Sequence, residues 1–555
     1  MTLTERVPAT TGSQQPHRDP ARPLLRRNDY SALRPPELGT WEPTLDVSVV
    51  IPARGCQHKL DLTLAALAAQ TYPAHLMQVI VVDDGADGSS APLHLPEIRP
   101  ERTVLLPAGS GWGSAHAVNT GVAAAEGTVL LRLDADMLTY HDHVESQLRW
   151  HHLADYVAVL GHKRFVEPGQ LDPEHVYDRV RRGEASQLFD QQQAEAHWVE
   201  RYSNARDQLR TAGHMAYHVF VGATGSLRRA LFDAAGGMDP AMVLGGDTEF
   251  AYRVGQTGAV FVPDPDSSSW HLGRSQMQSR RDEGTAVRHP YVANRVPLLE
   301  SRRRTRGRQW EVPYVDILLD VTGLSTGMVS AADVRPTVEA LLDGDLTDVR
   351  ITLVGDFSEL GSERRAPLDE PLREVRLVHE TFRAESRVRF HTADPDPQVT
   401  FRLFWPATLR PSRSAVRILT EEANRQGAGL LCVTGAGATP RLERTAAFAR
   451  AAHLAGRRRG DPADPELDAL VADVYGLYWM HGTEGSQGRV FTETGDDAHE
   501  SEEPPADWRT RLDTATRRAE REKQRADRLE RRIRWATRTH PRRLLRRLFL
   551  WRNGR

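Results

Sequence analysis

Three acidic clusters and one histidine carry the residue types in this sequence that could do chemistry. Asp134 and Asp136, with Ala135 between them, follow the apolar run 129–133. Asp83 and Asp84, followed by Gly85, close the apolar run 79–82. Asp247 and Glu249 follow the pair Gly245-Gly246, and His271 follows Trp270 after the polar stretch 264–269. Two carboxylates spaced by two at the end of a strand face the same side if the extended geometry persists. Such a pair can hold a hard divalent cation, Mg²⁺ or Mn²⁺, able to neutralise a departing phosphate group. The same spacing fits an aspartate at a helix N-cap, and Asp84-Gly85 fits a turn. A carboxylate, Asp247 or Glu249, could take a proton from a hydroxyl within hydrogen-bond reach, or Asp247 could cap the helix expected over 248–255. A lone histidine is commonly structural.

These groups need elements to position them. The β-branched run 47–51, ended by Pro52 and Gly55, predicts a buried strand. Leu60, Leu64 and Leu67 follow at helical spacing. Runs 79–82, 103–106 and 129–133 predict further strands, the small-residue stretch 115–125 a helix, and 219–221 and 260–262 later strands. Residues 150–215 are polar and helix-leaning, expected to cover the sheet and shape a cleft, and 264–269 reads as a loop. Strand, helix and strand joined by short loops predict a parallel α/β sheet. Ligands of such sheets sit at the carboxyl ends of strands, where Asp83, Asp84, Asp134 and Asp136 all fall.

The order of these motifs resembles family 2 of the glycosyltransferases, inverting enzymes with a GT-A fold (a Rossmann-like fold of nucleotide-diphospho-sugar transferases). The matching pieces are Val-Ser-Val-Val-Ile-Pro (47–52), Val-Ile-Val-Val-Asp-Asp-Gly (79–85), Asn119-Thr-Gly, Leu-Asp-Ala-Asp (133–136) and Gly-Gly-Asp-Thr-Glu-Phe (245–250), within roughly Asp46 to Arg281. The resemblance implies that Asp136 binds the metal and that Asp134 lies nearer the ribose or a metal-bound water. It implies that Pro52, Ala53 and Arg54 flank the nucleotide, and that Asn119, after the glycine-rich loop 109–113, helps to cradle it. Asp83 and Asp84 would accept from the uracil N3–H, Asp247 would be the general base, and His271 would complete the metal site or touch the diphosphate. Arg274, Arg280 and Arg281 could neutralise that diphosphate. Two departures stand out. Ser114 or His116 occupies the region where many relatives carry a basic residue, and Gly246 replaces a common glutamate. The Gln-x-x-Arg-Trp signature of processive synthases does not follow His271, so transfer of one or a few sugars is expected. The implied activity moves a sugar from a nucleotide-diphosphate donor, in first place a UDP-sugar, to a hydroxyl of a glycan or lipid-linked acceptor in cell-envelope or polysaccharide biosynthesis. The alternative is a non-catalytic sugar-nucleotide-binding or scaffold protein on the same modules.

The second half repeats the grammar. Residues 315–319 resemble the first strand, Val334, Val338 and Leu341 the first helix, and 349–354 the second strand. Aligning Gly427 and Leu430-Leu431 with Gly127 and Leu130-Leu131 sets Thr434-Gly-Ala436 opposite Asp134-Ala-Asp136. A second, degenerate GT-A-like domain without metal carboxylates is expected, with an unrelated α/β domain as the alternative.

The 555 residues exceed one domain of about 150 residues. The organisation expected is a disordered arm over 1–40, from which Leu24, Leu25, Tyr30 and Leu33 could dock, a catalytic domain over 41–300 and a second α/β domain over 310–485. An acidic linker over 486–507 and a basic helix over 508–555 follow. In that last segment Leu512, Ala515, Ala519, Ala526, Leu529, Ile533 and Ala536 fit a heptad, interrupted by Glu522, so the chain could self-associate through a short coiled coil. Leu544, Leu545, Leu548, Phe549 and Trp551 among Arg542, Arg543, Arg546 and Arg547 suit peripheral contact with an anionic membrane surface. The net charge is −3, which argues against a nucleic-acid partner. Cys56 and Cys432 have no metal-ligand spacing and read as free thiols of a reducing cytosol. No apolar run approaches a membrane span and no secretory signal is seen, so a cytoplasmic location, at the inner face of the membrane, is expected. Scarce lysine (Lys59, Lys163 and Lys523) beside abundant arginine points to a GC-rich bacterial, actinobacterial genome.

Overall fold

The computed structural model describes residues 22–491 apart from 299–302, 304–306, 364–365, 392–397, 436–438, 458–463 and 483–488. The first part of the arm, the end of the acidic linker and the basic helix with its heptad and membrane-facing residues lie outside the described residues.

The first half builds a nine-stranded sheet. Its strands are β1 (Val47–Ala53), β2 (Met77–Asp83), β3 (Thr103–Pro107), β4 (Val129–Leu133), β5 (Met137–Thr139), β6 (Val157–Val166), β7 (Glu195–Ala196), β8 (Thr224–Arg228) and β9 (Val260–Leu272). The order is β3-β2-β1-β4-β8-β6-β9-β5, with β7 on β6. β1 and β2 are buried almost along their whole length, as expected for central strands covered on both faces. The helices Gln57–Ala68 and Ser114–Ala124 supply that cover. Leu60, Leu64 and Leu67 of the first helix pack with Val49, Ile51, Val79 and Val81. Val118 and Val122 of the second pack with Val50.

Four expectations need correction. The sheet is mixed, because β8 runs antiparallel to both β4 and β6, and β5 runs antiparallel to β9. Residues 150–215 contain the ten-residue strand β6, with β8 on one side and β9 on the other. Its apolar start, Val157–Leu160, gives way to Gly161, His162, Lys163 and Arg164, whose polar side chains break the alternation that marks a strand. Residues 219–221 are not a strand; they close a 3₁₀ helix, and β8 begins at Thr224. The polar stretch 264–269 lies inside β9, where Asp264 is buried and held by Ser146, Arg149 and Trp150.

The second half builds a seven-stranded sheet. Its strands are β10 (Val315–Asp320), β11 (Val349–Val354), β12 (Val388–His391), β13 (Phe401–Phe404), β14 (Leu430–Thr434), β15 (Arg441–Arg444) and β16 (Leu477–His481). The order is β12-β11-β10-β13-β15-β14-β16. Strand for strand this matches β3-β2-β1-β4-β8-β6-β9. The parallel and antiparallel senses agree at each of the six pairings. The two halves are tandem GT-A-like α/β modules. The topology also corrects the internal alignment: the counterpart of β4 is β13, not β14. β1 pairs Val47 with Val129, and β10 pairs Val315 with Phe401, so Pro406 and Thr408 stand where Asp134 and Asp136 stand. Likewise Gly355 stands where Asp83 does. The loss of the metal carboxylates holds, with different residues replacing them, while Asp356 stands where Asp84 does.

Residues 22–33 have almost no regular structure, yet they are fixed between the modules. Leu25, Tyr30 and Leu33 are buried in a cluster with Tyr156 and Val260 of the first module and Phe448 and Leu470 of the second. Asn28 donates to the Phe261 and Leu209 carbonyls and accepts from the Phe261 N–H. No helix among the described residues is long and apolar enough to cross a membrane.

Candidate active site

The carboxyl ends of β1 and β4 lie side by side and open into a cleft of about 490 Å³, lined by residues 52–59 and 134–136. That volume lies within the range of small-molecule sites. β1 leaves the sheet through Gly55, whose φ of +56° favours glycine, and passes into the helix Gln57–Ala68. Pro52, Ala53 and Arg54 therefore form the wall of the cleft facing Asp134 and Asp136. The Arg54 side chain makes no ion pair among the described residues and is exposed.

Pairing of β5 with β9 sets Met137 opposite His271, and the Leu272 N–H donates to the Asp136 carbonyl at 2.8 Å. This pairing is what brings a residue 135 positions later to the Asp-x-Asp. One ligand atom each of Asp134, Asp136 and His271 lie within 4.8 Å of one another. His271 Nδ1 is 2.9 Å from the Gly273 carbonyl, which fixes the proton there and turns the Nε2 lone pair toward Asp136 Oδ1 at 3.5 Å. Burial lowers the pKa of His271 despite the pull of Asp136, favouring the neutral ring a metal needs. Two carboxylates and a neutral imidazole suit Mn²⁺ or Mg²⁺. Lys59 Nζ lies 3.3 Å from Asp136 Oδ2 and donates to the Leu272 carbonyl at 2.5 Å.

Asp247 stands in the first turn of the helix Gly246–Gln256, where the helix dipole favours a carboxylate. It is paired with Arg132 of β4, whose guanidinium also reaches Ser114 Oγ at 3.1 Å and Asp134 Oδ1 at 3.3 Å. Arg132 fits because residue 222 is glycine: a Cβ there would lie 2.3 Å from Nη1. Burial pushes the Asp247 pKa up, but Arg132, the Gly222 N–H and Lys163 outweigh it, and the net shift is downward. Glu249 is not at the site; it is buried and ion-paired with Arg253, which donates to the Gly237 carbonyl at 2.6 Å.

The remaining residues divide. Asp83 accepts from the Gly85 and Leu93 N–H groups, and Asp84 accepts from the Gly113 N–H, which holds the glycine-rich loop. Asn119 spends its amide on one backbone unit, donating to the Met238 carbonyl at 2.7 Å and accepting from the Met238 N–H at 3.0 Å. It ties the helix Ser114–Ala124 to the loop that precedes Asp247. Arg280 pairs with Glu283 on the surface, and Arg281 is exposed, so neither is gathered at the cleft. The sequence reading missed Arg132 and Lys163. The available signal for Arg132 was a charge inside an apolar strand beside Asp134; for Lys163, within the polar run Gly161–Arg164, it was only the scarcity of lysine in the chain.

A mixed α/β sheet with an Asp-x-Asp and a histidine at the carboxyl ends of its central strands defines the GT-A class. Comparison with known proteins agrees: residues 48–232 match the family model "Glycosyl transferase family 2", and this part of the chain is a family 2 glycosyltransferase domain. Chondroitin synthase of Escherichia coli is 24% identical over 376 residues, 62% of this chain and 50% of that protein. Glycosyltransferase AglE of Haloferax volcanii is 31% identical over 100 residues, 18% of this chain and 33% of that protein. The chain thus spans half or less of the length of these curated relatives. Among solved structures, the mannosyltransferase PcManGT of Pyrobaculum calidifontis, in complex with GDP-Man and Mn2+, is 19% identical, covering 46% of this chain and 67% of that chain with a TM-score of 0.30. S. aureus TarS is 13% identical, covering 46% and 68%, also with a TM-score of 0.30.

Proposed function

We propose that the protein transfers a sugar, with inversion, from a nucleoside-diphosphate donor, in first place a UDP-sugar, to a hydroxyl of a glycan or lipid-linked acceptor in cell-envelope or polysaccharide biosynthesis. The observation that carries this reading is the convergence of Asp134, Asp136 and His271 at the mouth of the cleft, with Asp247 held beyond them by Arg132. Pro52, Ala53, Arg54, Asp83 and Asp84 bind the nucleotide along β1 and β2. Asp134, Asp136 and His271 would hold a divalent ion, which would supply positive charge to the leaving diphosphate. Asp247 accepts the acceptor proton once Arg132 yields to the incoming substrates. The location proposed is the cytoplasm at the inner face of the membrane, with residues 542–551 touching the membrane surface and residues 508–536 able to self-associate. The scaffold reading is kept for the second module, where Pro406 and Thr408 stand in place of the metal carboxylates.

The test is calorimetric titration of UDP and of GDP, each with Mn²⁺, into the wild type and Asp136→Ala. Metal-dependent binding of one nucleotide, lost in the variant, is expected. Folded wild type that binds neither would leave both modules as scaffold.

A further inference from the structure

Lys163 has no evident reason to be where it is. It lies in β6 and is only 7% exposed. Among the described residues its ammonium makes no hydrogen bond and no ion pair. Its neighbours on the strand, His162 and Arg164, turn the other way and share Glu200. Phe165, on the same face as Lys163, packs against His271 with the ring centroids 4.7 Å apart and the rings tilted by 47°. The charges that act on Lys163 are Asp134, Asp247 and Asp136, with Arg132 opposing them. Desolvation lowers its pKa to about 8 even so. An ammonium with little water around it and no protein acceptor is costly. A side chain in this state is suited to a ligand that brings oxygen acceptors.

Beside Arg54 in the cleft wall, the charged groups about the metal site and the base are equal in number. Asp134, Asp136 and Asp247 face Lys59, Arg132 and Lys163. A metal ion and a nucleotide-sugar diphosphate add charges that cancel. When the bond from the anomeric carbon to the β-phosphate oxygen breaks, its electron pair stays on that oxygen, and one further negative charge develops. Arg132 is engaged by Asp247, Asp134 and Ser114, and Lys59 by Asp136 and the Leu272 carbonyl. Lys163 alone of the three has its donors uncommitted, on the face of β6 that Phe165 presents to His271 and within the field of Asp134, Asp247 and Asp136.

We propose that Lys163 is a catalytic residue that donates a hydrogen bond to the β-phosphate of the donor and stabilises the charge left on it when the sugar departs. This rests on the glycosyltransferase reading above. Lys163 stays protonated throughout; the acceptor oxygen bonds to the anomeric carbon, and its proton passes to Asp247.

The experiment compares nucleoside diphosphate with monophosphate. UDP, UMP, GDP and GMP, each with Mn²⁺, are titrated into the wild type, Lys163→Met, Lys163→Arg and Asp136→Ala, with thermal melts to check folding. In Lys163→Met the diphosphate is expected to lose about ten- to a hundredfold in affinity, as for one charge-assisted hydrogen bond. The monophosphate should bind unchanged, and Lys163→Arg should recover part of the loss. If the wild type binds a diphosphate, Asp136→Ala loses it and Lys163→Met keeps it in full, the role of Lys163 is refuted and the donor site stands. An equal loss of mono- and diphosphate affinity in folded Lys163→Met would make the residue structural and would also refute it. If the folded wild type binds no nucleotide, the glycosyltransferase reading itself has failed, and this inference with it.

Discussion

With Asp247 as the general base proposed above, Arg132 and Asp247 set opposing demands at the residue scale. A general base must be ionised but must not hold its partner too well. Desolvation raises the Asp247 pKa and the guanidinium is the largest effect lowering it, with a net downward shift. Arg132→Met removes the largest of the lowering effects, so the Asp247 pKa rises. The ionised base is then lost at a higher pH as the solution is acidified. The acidic limb of kcat/KM should move upward by about a unit or more, while activity well above that limb falls less. A pH profile of both proteins checks this, and an unmoved limb would mean that the limb belongs to another group. Gly222→Ala should act through the same residue, since its Cβ would meet the Arg132 guanidinium. A partial loss of activity with the limb shifted in the same direction is expected from its pH profile.

At the scale of elements, Asn119 separates two roles that the family resemblance merges. In the structure its amide fastens the helix Ser114–Ala124 to Met238, and the loop from Gly236 to Gly245 leads into the helix that carries Asp247. Asn119→Ala removes two hydrogen bonds in a half-buried place, at a cost of about 1–3 kcal/mol. A lower melting temperature and slower turnover are expected, with Mn²⁺-dependent nucleotide affinity nearly unchanged in the titration. A large loss of affinity would instead place Asn119 on the nucleotide. What was legible in the sequence follows the same division. β1, β2 and β4 are mostly apolar runs, β1 closed by Pro52 and the other two by Asp83 and Asp134, so both the strands and Asp83, Asp134 and Asp136 could be read directly. β6 and the later part of β9 could not, because their site-facing and buried polar residues (Lys163, Asp264, Ser267, His271) interrupt the hydrophobic pattern. The function of those strands erased their signal. The pairing of Met137 with His271 is a long-range contact without local trace. For β13 the obstacle was different: Leu430-Leu431 repeats the letters of β4, while the strand in the matching position reads Phe-Arg-Leu-Phe.

At the scale of the whole molecule, the question is whether the first module stands alone. Its outer face, with Trp150, Tyr156, Val157 and Val260, is covered by Phe448, Ala451, Leu454 and Leu470 of the second module and by Leu25 and Tyr30 of the leading segment. Arg450 sits in this contact at 1% exposure. Its guanidinium donates to the carbonyls of Gly258 at 2.7 Å, Ala259 at 3.2 Å, Leu25 at 3.1 Å and also Arg27, so one side chain joins three parts of the chain. Tyr475 lies beneath it at 5.1 Å. The approach is close enough that a Cβ on Gly258, whose φ is +90°, would fall 2.6 Å from the Arg450 backbone nitrogen. Arg450→Met keeps much of the aliphatic packing but leaves these carbonyls without their donor, at about 1–3 kcal/mol for each buried acceptor that finds no substitute. A contact of this kind couples the unfolding of the two sheets. The wild type should therefore melt in one calorimetric transition, and Arg450→Met should lower its midpoint by several degrees or split it in two. Two separate transitions in the wild type, with only the second moved by the substitution, would mean that the modules fold independently.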